Sequence, residues 1–401
     1  TRSVNQLPLR MSVQYKAALI DPVGVKAGMD HYNVLLLKGL SNAGVSCFLF
    51  SNFNGTYKEF HNTQVFYNTG VAKWKSIASN FFGHLKAFRI CRRNGVKKII
   101  VHIFRAGIFD LVVFSIARMM GLKIYAIAHD IESLDTFTLP FVRNSVLHRL
   151  PEMRIVHNDF CKSELLKLDG NNPLRPVKII PHVHFRHLFS GYQSDHALLE
   201  NLKSNKSIAE GLHPELWSLL QSSTPVLLFF GQIKKAKGLD VLLEAITQTK
   251  SEFKVLVAGK VRDENWQRYD DILTALNIRN KVLPVIRHIS DTERDFLFAT
   301  SKAIVLPYLH IYQSGVLLMA MSFPMTVVAS DLLPNKFLVN HGHNGLLFKT
   351  ENAASLAVEI DEVVNDQINS SALKANAFHD IDEHYNPDKI GRLFRDALFH
   401  N

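Results

Sequence analysis

The chain has 401 residues, with 46 Lys and Arg against 36 Asp and Glu for a formal charge of +10. An apolar content of 47% with 20% charged residues excludes a disordered or collagen-like chain, and this length calls for two domains. The most apolar stretch, 99–120, is broken by His102, Arg105, Asp110 and Arg118, which excludes a bilayer-spanning helix, and three scattered cysteines without a CxxC pair exclude a disulfide scaffold and a structural zinc site.

Short β-branched or aromatic runs alternate with helical patterns along most of the chain, the signature of parallel βαβ units. Strands are predicted at 15–21, 45–50, 98–104, 123–128, 154–157 and 177–180. From 189 to 224 the composition shifts to Ser, Asn, Lys and Glu, which reads as a linker region. Strands resume at 225–230, 253–258, 281–285, 303–307, 326–329 and 345–348. Two Rossmann-like doubly wound α/β domains in tandem are therefore expected, with chemistry in the loops after the strands. No secretory leader is read at the N-terminus, although the chain opens on Thr1, and a reducing compartment is the expectation.

The charge is uneven. Residues 1–189 carry 25 Lys and Arg against 11 Asp and Glu, whereas 190–401 carry 21 against 25. Between Phe60 and Phe109 there are nine basic residues and no acidic one. Within that window Trp74, Ile77, Phe81, Leu85 and Phe88 recur at helical steps, flanked by Lys73, Lys75, Lys86, Arg89, Arg92 and Arg93. Such a helix fits either of two roles: its stripe faces the core and its basic side is solvated, or it lies on an anionic membrane. Nucleic acid would suit the charge, but no nucleic-acid-binding motif is found, so none is expected as a partner.

Two loops suit a phosphate. Phe230-Gly231-Gln232-Ile233-Lys234-Lys235-Ala236-Lys237-Gly238 follows an apolar strand and opens a helix, supplying flexible backbone, ammonium groups and free amides. Leu306-Pro307-Tyr308-Leu309-His310-Ile311-Tyr312-Gln313-Ser314-Gly315 precedes a second helix, predicted at 316–322, with Ser314 and Gly315 at its start. Both follow strands of the same half, so they are expected to converge on one diphosphate. Walker A and GxGxxG patterns are absent, which argues against a P-loop enzyme and a nicotinamide dehydrogenase. His182 and His184 lack a third ligand, so no metal site is expected.

At these segments the chain resembles GT-B glycosyltransferases of the family-4 group. Residues 229–238, 305–331 with Ser314-Gly315, and Asn344-Gly345-Leu346-Leu347-Phe348 carry the likeness, and Gly24 to Gly28, Ala128-His129-Asp130 and Ile180-Pro181-His182 extend it into the first half. The resemblance implies two domains facing across a cleft: an acceptor-binding domain at 1–189, a linker at 190–224 and a nucleotide-sugar-binding domain at 225–380. A C-terminal helix, 381–401, would cross back onto the first domain. Ile311 and Met319 stand where the family usually has two glutamates, and Gln232 where it usually has Arg.

The implied reaction transfers a sugar, with retention favoured by the resemblance, from a nucleoside-diphosphate sugar to a glycan or polyprenyl-diphosphate-linked hydroxyl in bacterial surface polysaccharide synthesis. Lys234, Lys237 and the amides at Ser314, Gly315 and Val316 would stabilise the leaving diphosphate without a metal or other cofactor. Gly24 and Gly28 would approach it, and Gln232, Arg287, Tyr312 and Gln313 would complete the donor site. His129 is placed nearest the sugar, with Asp130 as the base of an inverting alternative. Trp74, Phe81, Lys86, Arg89, Arg92 and Arg93 would meet the inner face of the cytoplasmic membrane or the acceptor. Alternatives on the same fold are a sugar-nucleotide epimerase or hydrolase and a non-catalytic binding module.

Overall fold

The computed structural model describes residues 15–27, 29–67, 73–129, 131, 139–169, 175–186, 223–262, 265–323 and 325–400. The chain divides into two units, residues 1–183 with 385–401, and residues 184–384. The expected linker, 190–224, falls almost wholly outside the described residues.

Unit 1 is built on seven strands: β1 (Tyr15–Ile20), β2 (Val45–Ser51), β3 (His61–Gln64), β4 (Lys98–Ile103), β5 (Lys123–Ala128), β6 (Pro151–Val156) and β7 (Val177–Ile179). They pair in the order β3-β2-β1-β4-β5-β6-β7, all in parallel. Parallel strands covered on both faces read as continuous apolar runs, and Ala17 to Ile20 are all at most 1% exposed. The order reverses between β1 and β4, so the loops after these two strands flank the usual ligand position of a doubly wound sheet. The polar edge strand β3, His-Asn-Thr-Gln, has no apolar signature and was not anticipated.

Helix α1 (Met29–Asn42) packs on the C-terminal helix Pro387–Phe399 with almost no side chain between the two backbones. A Cβ on Gly39 would lie 1.9 Å from the Pro387 carbonyl oxygen, and one on Gly391 would lie 2.1 Å from that of Gly39. Asn42 Nδ2 donates to Asp388 at 2.7 Å, Tyr125 donates to the Leu398 carbonyl at 3.1 Å, and Tyr15 stacks on Phe399 at 4.4 Å. The C-terminal helix thus completes unit 1.

Helix α2 (Lys73–Arg93) turns a different side inward from the stripe expected. Gly83, His84, Ala87, Phe88 and Cys91 are buried, Phe81 and Leu85 are half-buried, and Ile77 is 58% exposed. Gly83 sets this rotation, because a Cβ there would meet Phe66 at 2.6 Å and the Val65 carbonyl at 2.7 Å. The side chain of Trp74 lies outside the described residues.

Unit 2 has six parallel strands: β8 (Val226–Phe230), β9 (Lys254–Ala258), β10 (Val282–Val285), β11 (Ala303–Leu306), β12 (Thr326–Ser330) and β13 (Leu346–Phe348). Their order, β10-β9-β8-β11-β12-β13, reverses between β8 and β11. The two phosphate-loop candidates follow these two strands.

Candidate active site

The loop after β8 is held against the loop after β11. Leu309 N donates to the Ala236 carbonyl at 3.0 Å, and Gly238 lies where a Cβ would come within 1.8 Å of the Pro307 carbonyl oxygen. Gly238 has φ +66°, a left-handed value that favours glycine. Gly231, at φ +112°, receives Gly259 so closely that a Cβ on Gly259 would lie 1.7 Å from the Gly231 carbonyl oxygen. A Cβ on Gly231 itself would stand 3.5 Å from Val316. The convergence expected of the two loops is therefore a matter of backbone contact.

Within this junction Lys237 Nζ lies 3.6 Å from the Tyr308 ring centroid. The cation–π contact favours the ammonium form, but burial, assisted by nearby Lys234, pushes the Lys237 pKa down to about 7. Tyr308 is fully buried, its hydroxyl is pushed up to about 12 by burial, and it accepts from Ser314 Oγ at 3.5 Å. Ser314 Oγ also accepts from Leu317 N at 3.0 Å, so it caps the helix Gly315–Met321 as its sequence position indicated. Gly315 and Val316 lie in the first turn, where amides have no i−4 carbonyl.

Gln232 is exposed, and Lys234, Tyr312, Gln313, Gly315 and Val316 are half-buried around this junction. His310 and Tyr312 have ring centroids 4.9 Å apart. Arg287 grips Glu293 with both guanidinium nitrogens, at 3.0 and 2.5 Å, beside the Ser290 helix cap. This pairing keeps the Glu293 carboxyl at about 2.

In unit 1 Gly24 has φ +40°, and its amide donates to Asp21 Oδ2 at 3.0 Å. Asn52 closes the same turn by donating to the Val23 carbonyl at 2.8 Å. Gly28 and Asp130 lie outside the described residues. His129 follows β5 and is half-buried, stacked on Phe104 at 4.9 Å. It has company: the sequence reading singled out His182 but gave His102 and His157 no role. His102 at the end of β4, His157 after β6 and His182 after β7 lie in a row with it, and the Tyr32 ring is 4.5 to 6.0 Å from all four imidazoles. Burial pushes every one of these imidazole pKa values down, His157 to about 4. The available signal was a histidine inside the apolar run Ile99-Ile100-Val101-His102-Ile103, at the end of the strand beside that of His129. Among the described residues no group of three or more His, Cys, Asp or Glu is placed to hold a metal ion.

Residues 218–380 match the family described as Glycosyl transferases group 1. No curated protein sequence matches the chain. Among solved structures it is similar to sucrose-phosphate synthase from Thermosynechococcus elongatus, at 17% identity and TM-score 0.72, over 97% of this chain and 100% of that one. It is also similar to Anabaena HepE, solved with UDP and glucose, at 17% identity and TM-score 0.71, over 96% and 100% of the two chains. WaaG, a glycosyltransferase involved in lipopolysaccharide biosynthesis, shares 13% identity at TM-score 0.64, over 96% and 100%. These likenesses establish the fold as two Rossmann-like domains of the GT-B type.

Proposed function

We propose that this chain, a GT-B glycosyltransferase with a group 1 segment at residues 218–380, moves a sugar from a nucleoside-diphosphate sugar to a glycan or lipid-linked hydroxyl. The observation that carries this reading is the Lys237–Tyr308 pair at the backbone junction of the two unit 2 loops, beside Lys234. When the anomeric C–O bond breaks, negative charge grows on the leaving diphosphate. A half-buried ammonium fixed in place before that moment stabilises this charge more than a mobile, solvated one does. The UDP in HepE supports this donor class.

We infer retention from the family resemblance: the leaving phosphate takes the proton of the attacking hydroxyl on its own face, and no protein nucleophile is assigned. His129 is the group assigned to a hydroxyl of the sugar or acceptor. No metal or other cofactor is assigned to the step. Lys237→Met keeps the aliphatic stem over Tyr308 and removes the charge. It should lower transfer by about 10²-fold or more; activity within threefold of the parent would overturn the reading. A thermal-shift screen against UDP-, GDP-, dTDP- and CMP-sugars identifies the nucleotide, since a donor at a hundred times its Kd stabilises by about 2.7 kcal/mol.

The lipopolysaccharide role of WaaG supports a surface-glycan acceptor in a bacterium; the inner face of the cytoplasmic membrane is the place we propose for it. No helix among the described residues is long and apolar enough to cross a membrane. The outward side of α2 supports peripheral attachment. Phe82 is 65% exposed, and exposed Lys86, Arg89 and Arg93 follow it at steps of four, three and four along one face. This basic face, centred on Phe82, replaces the Trp74–Phe88 stripe as the membrane candidate; Arg92 is exposed beside it. Each basic residue near an anionic surface contributes about 1 kcal/mol. Anionic liposomes should retain the protein and neutral ones should not, and equal partitioning would remove the membrane from the proposal.

A further inference from the structure

The histidine row in unit 1 contains a chain of hydrogen bonds whose direction is fixed by what each group can donate. It begins at Asp21, which is fully buried and follows β1. Asp21 Oδ1 accepts from Val23 N at 2.8 Å, and Oδ2 accepts from Gly24 N at 3.0 Å and from Asn33 Nδ2 at 2.7 Å. A carboxylate only accepts, so the amide nitrogen of Asn33 is the atom turned toward it. Asn33 is itself fully buried, and its Oδ1 is left facing His102 Nε2 at 2.8 Å.

An amide oxygen only accepts, so His102 Nε2 carries a proton. A neutral imidazole has one N–H, which leaves His102 Nδ1 as an acceptor, and its partner is His129 Nε2 at 2.7 Å. His129 must therefore donate through Nε2. The lone pair remaining on His129 is on Nδ1, which has no hydrogen-bond partner among the described residues. Burial keeps both rings neutral, as this assignment requires. Tyr32, His157 and His182 pack around the pair, and His157 Nδ1 and His182 Nδ1 are occupied by the Ile180 and Val183 carbonyls at 2.9 and 2.6 Å. They do not compete for the His102–His129 bond.

We propose that Asp21, Asn33 and His102 are positioning residues that hold His129 as its Nε2–H tautomer, so that Nδ1 presents a lone pair to a hydroxyl of the sugar or acceptor. The chain rests on the assignment of His129 made above and adds what that residue can recognise. A bare Nδ1 accepts a hydrogen bond and offers none. The position it faces must therefore hold an O–H donor, and a sugar deoxygenated there leaves the nitrogen unpaired and is turned over more slowly. Four elements contribute: the β1 loop, α1, β4 and the end of β5. All meet at the place where the strand order of the sheet reverses.

The test uses the full chain labelled with 15N at histidine, with long-range 1H–15N correlation spectra reading the tautomer of each ring and His129→Gln identifying the His129 signals. Wild-type protein should show His129 with a protonated Nε2 and a bare Nδ1. In His102→Phe the His129 signals should move toward a mixture of tautomers, and kcat should fall about tenfold or more with a smaller change in donor KM. His102→Gln, whose amide can accept from His129 and donate to Asn33, should restore most of both. A protonated Nδ1 on His129 in the wild type overturns the proposal, and that spectrum decides the matter even if His102→Phe does not fold. His129 signals unmoved in a folded His102→Phe overturn it as well. A shifted tautomer with unchanged transfer keeps the relay and removes His129 from the reaction.

Discussion

Donor binding should be coupled to proton uptake at Lys237. Burial holds this amine at about 7 in the free protein, yet the proposed diphosphate contact needs it charged. The sign follows directly: the group is ammonium below pH 7 and amine above it, so affinity is full in mild acid and declines as pH rises. At pH 6 about 90% of molecules are ready to bind and at pH 8 about 9%, so the apparent Kd should rise about tenfold, or 1.4 kcal/mol, across that interval. A nucleoside-diphosphate sugar has no phosphate ionisation between these pH values, which makes it the right ligand, whereas a free nucleoside diphosphate would confound the result. Calorimetry in two buffers of different ionisation enthalpy should report about 0.9 proton taken up per donor at pH 8 and about 0.1 at pH 6. In Lys237→Arg the uptake should vanish, because a guanidinium stays charged throughout. An affinity independent of pH over this range, or uptake that does not grow with pH, would refute the linkage.

Three further outcomes are expected. Gly238→Ala forces a side chain into a left-handed backbone and against the Pro307 carbonyl, so it should cost at least about 1–2 kcal/mol of stability and weaken donor binding; urea denaturation with unchanged midpoint would contradict this. His84 and His157 are both held at about 4 by burial, below the value near 6.5 of an unfolded chain. Their contribution to stability is complete above pH 6.5 and is lost as pH falls toward 4, so Tm should decline through that window, and a flat Tm would count against it. Gly391→Ala pushes the C-terminal helix off α1 and should lower Tm by several degrees, with limited proteolysis showing release of the helix; an unchanged digestion pattern would refute the packing argument.

The strand pattern was legible because buried parallel strands are apolar end to end. The sequence places β5 at the observed residues and most other strands within one or two. The polar β3 left no such trace, and α2 has more apolar residues than one face needs, so periodicity alone chose the wrong rotation. The two unit 2 loops could be found from glycine and lysine spacing, and Ser314 from its place before a helix. Arg287 could not be judged that way, since its partner Glu293 lies on the next helix. The Asp21–Asn33–His102–His129 chain depends on strand order and on one turn of α1. Those four residues are spread over more than a hundred positions, and nothing in their spacing announces the connection.

The glycine crossing of α1 with the last helix also governs how the molecule can be taken apart. Unit 1 is assembled from segments on either side of residues 184–384, so a fragment stopping at residue 183 would leave the Gly39 surface of α1 bare. Expressing that half as an independent module calls for supplying residues 385–401 as a separate peptide, or for rejoining the termini in a circular permutant. During synthesis, too, the first sheet waits until residues 387–399 have been made before its last layer arrives.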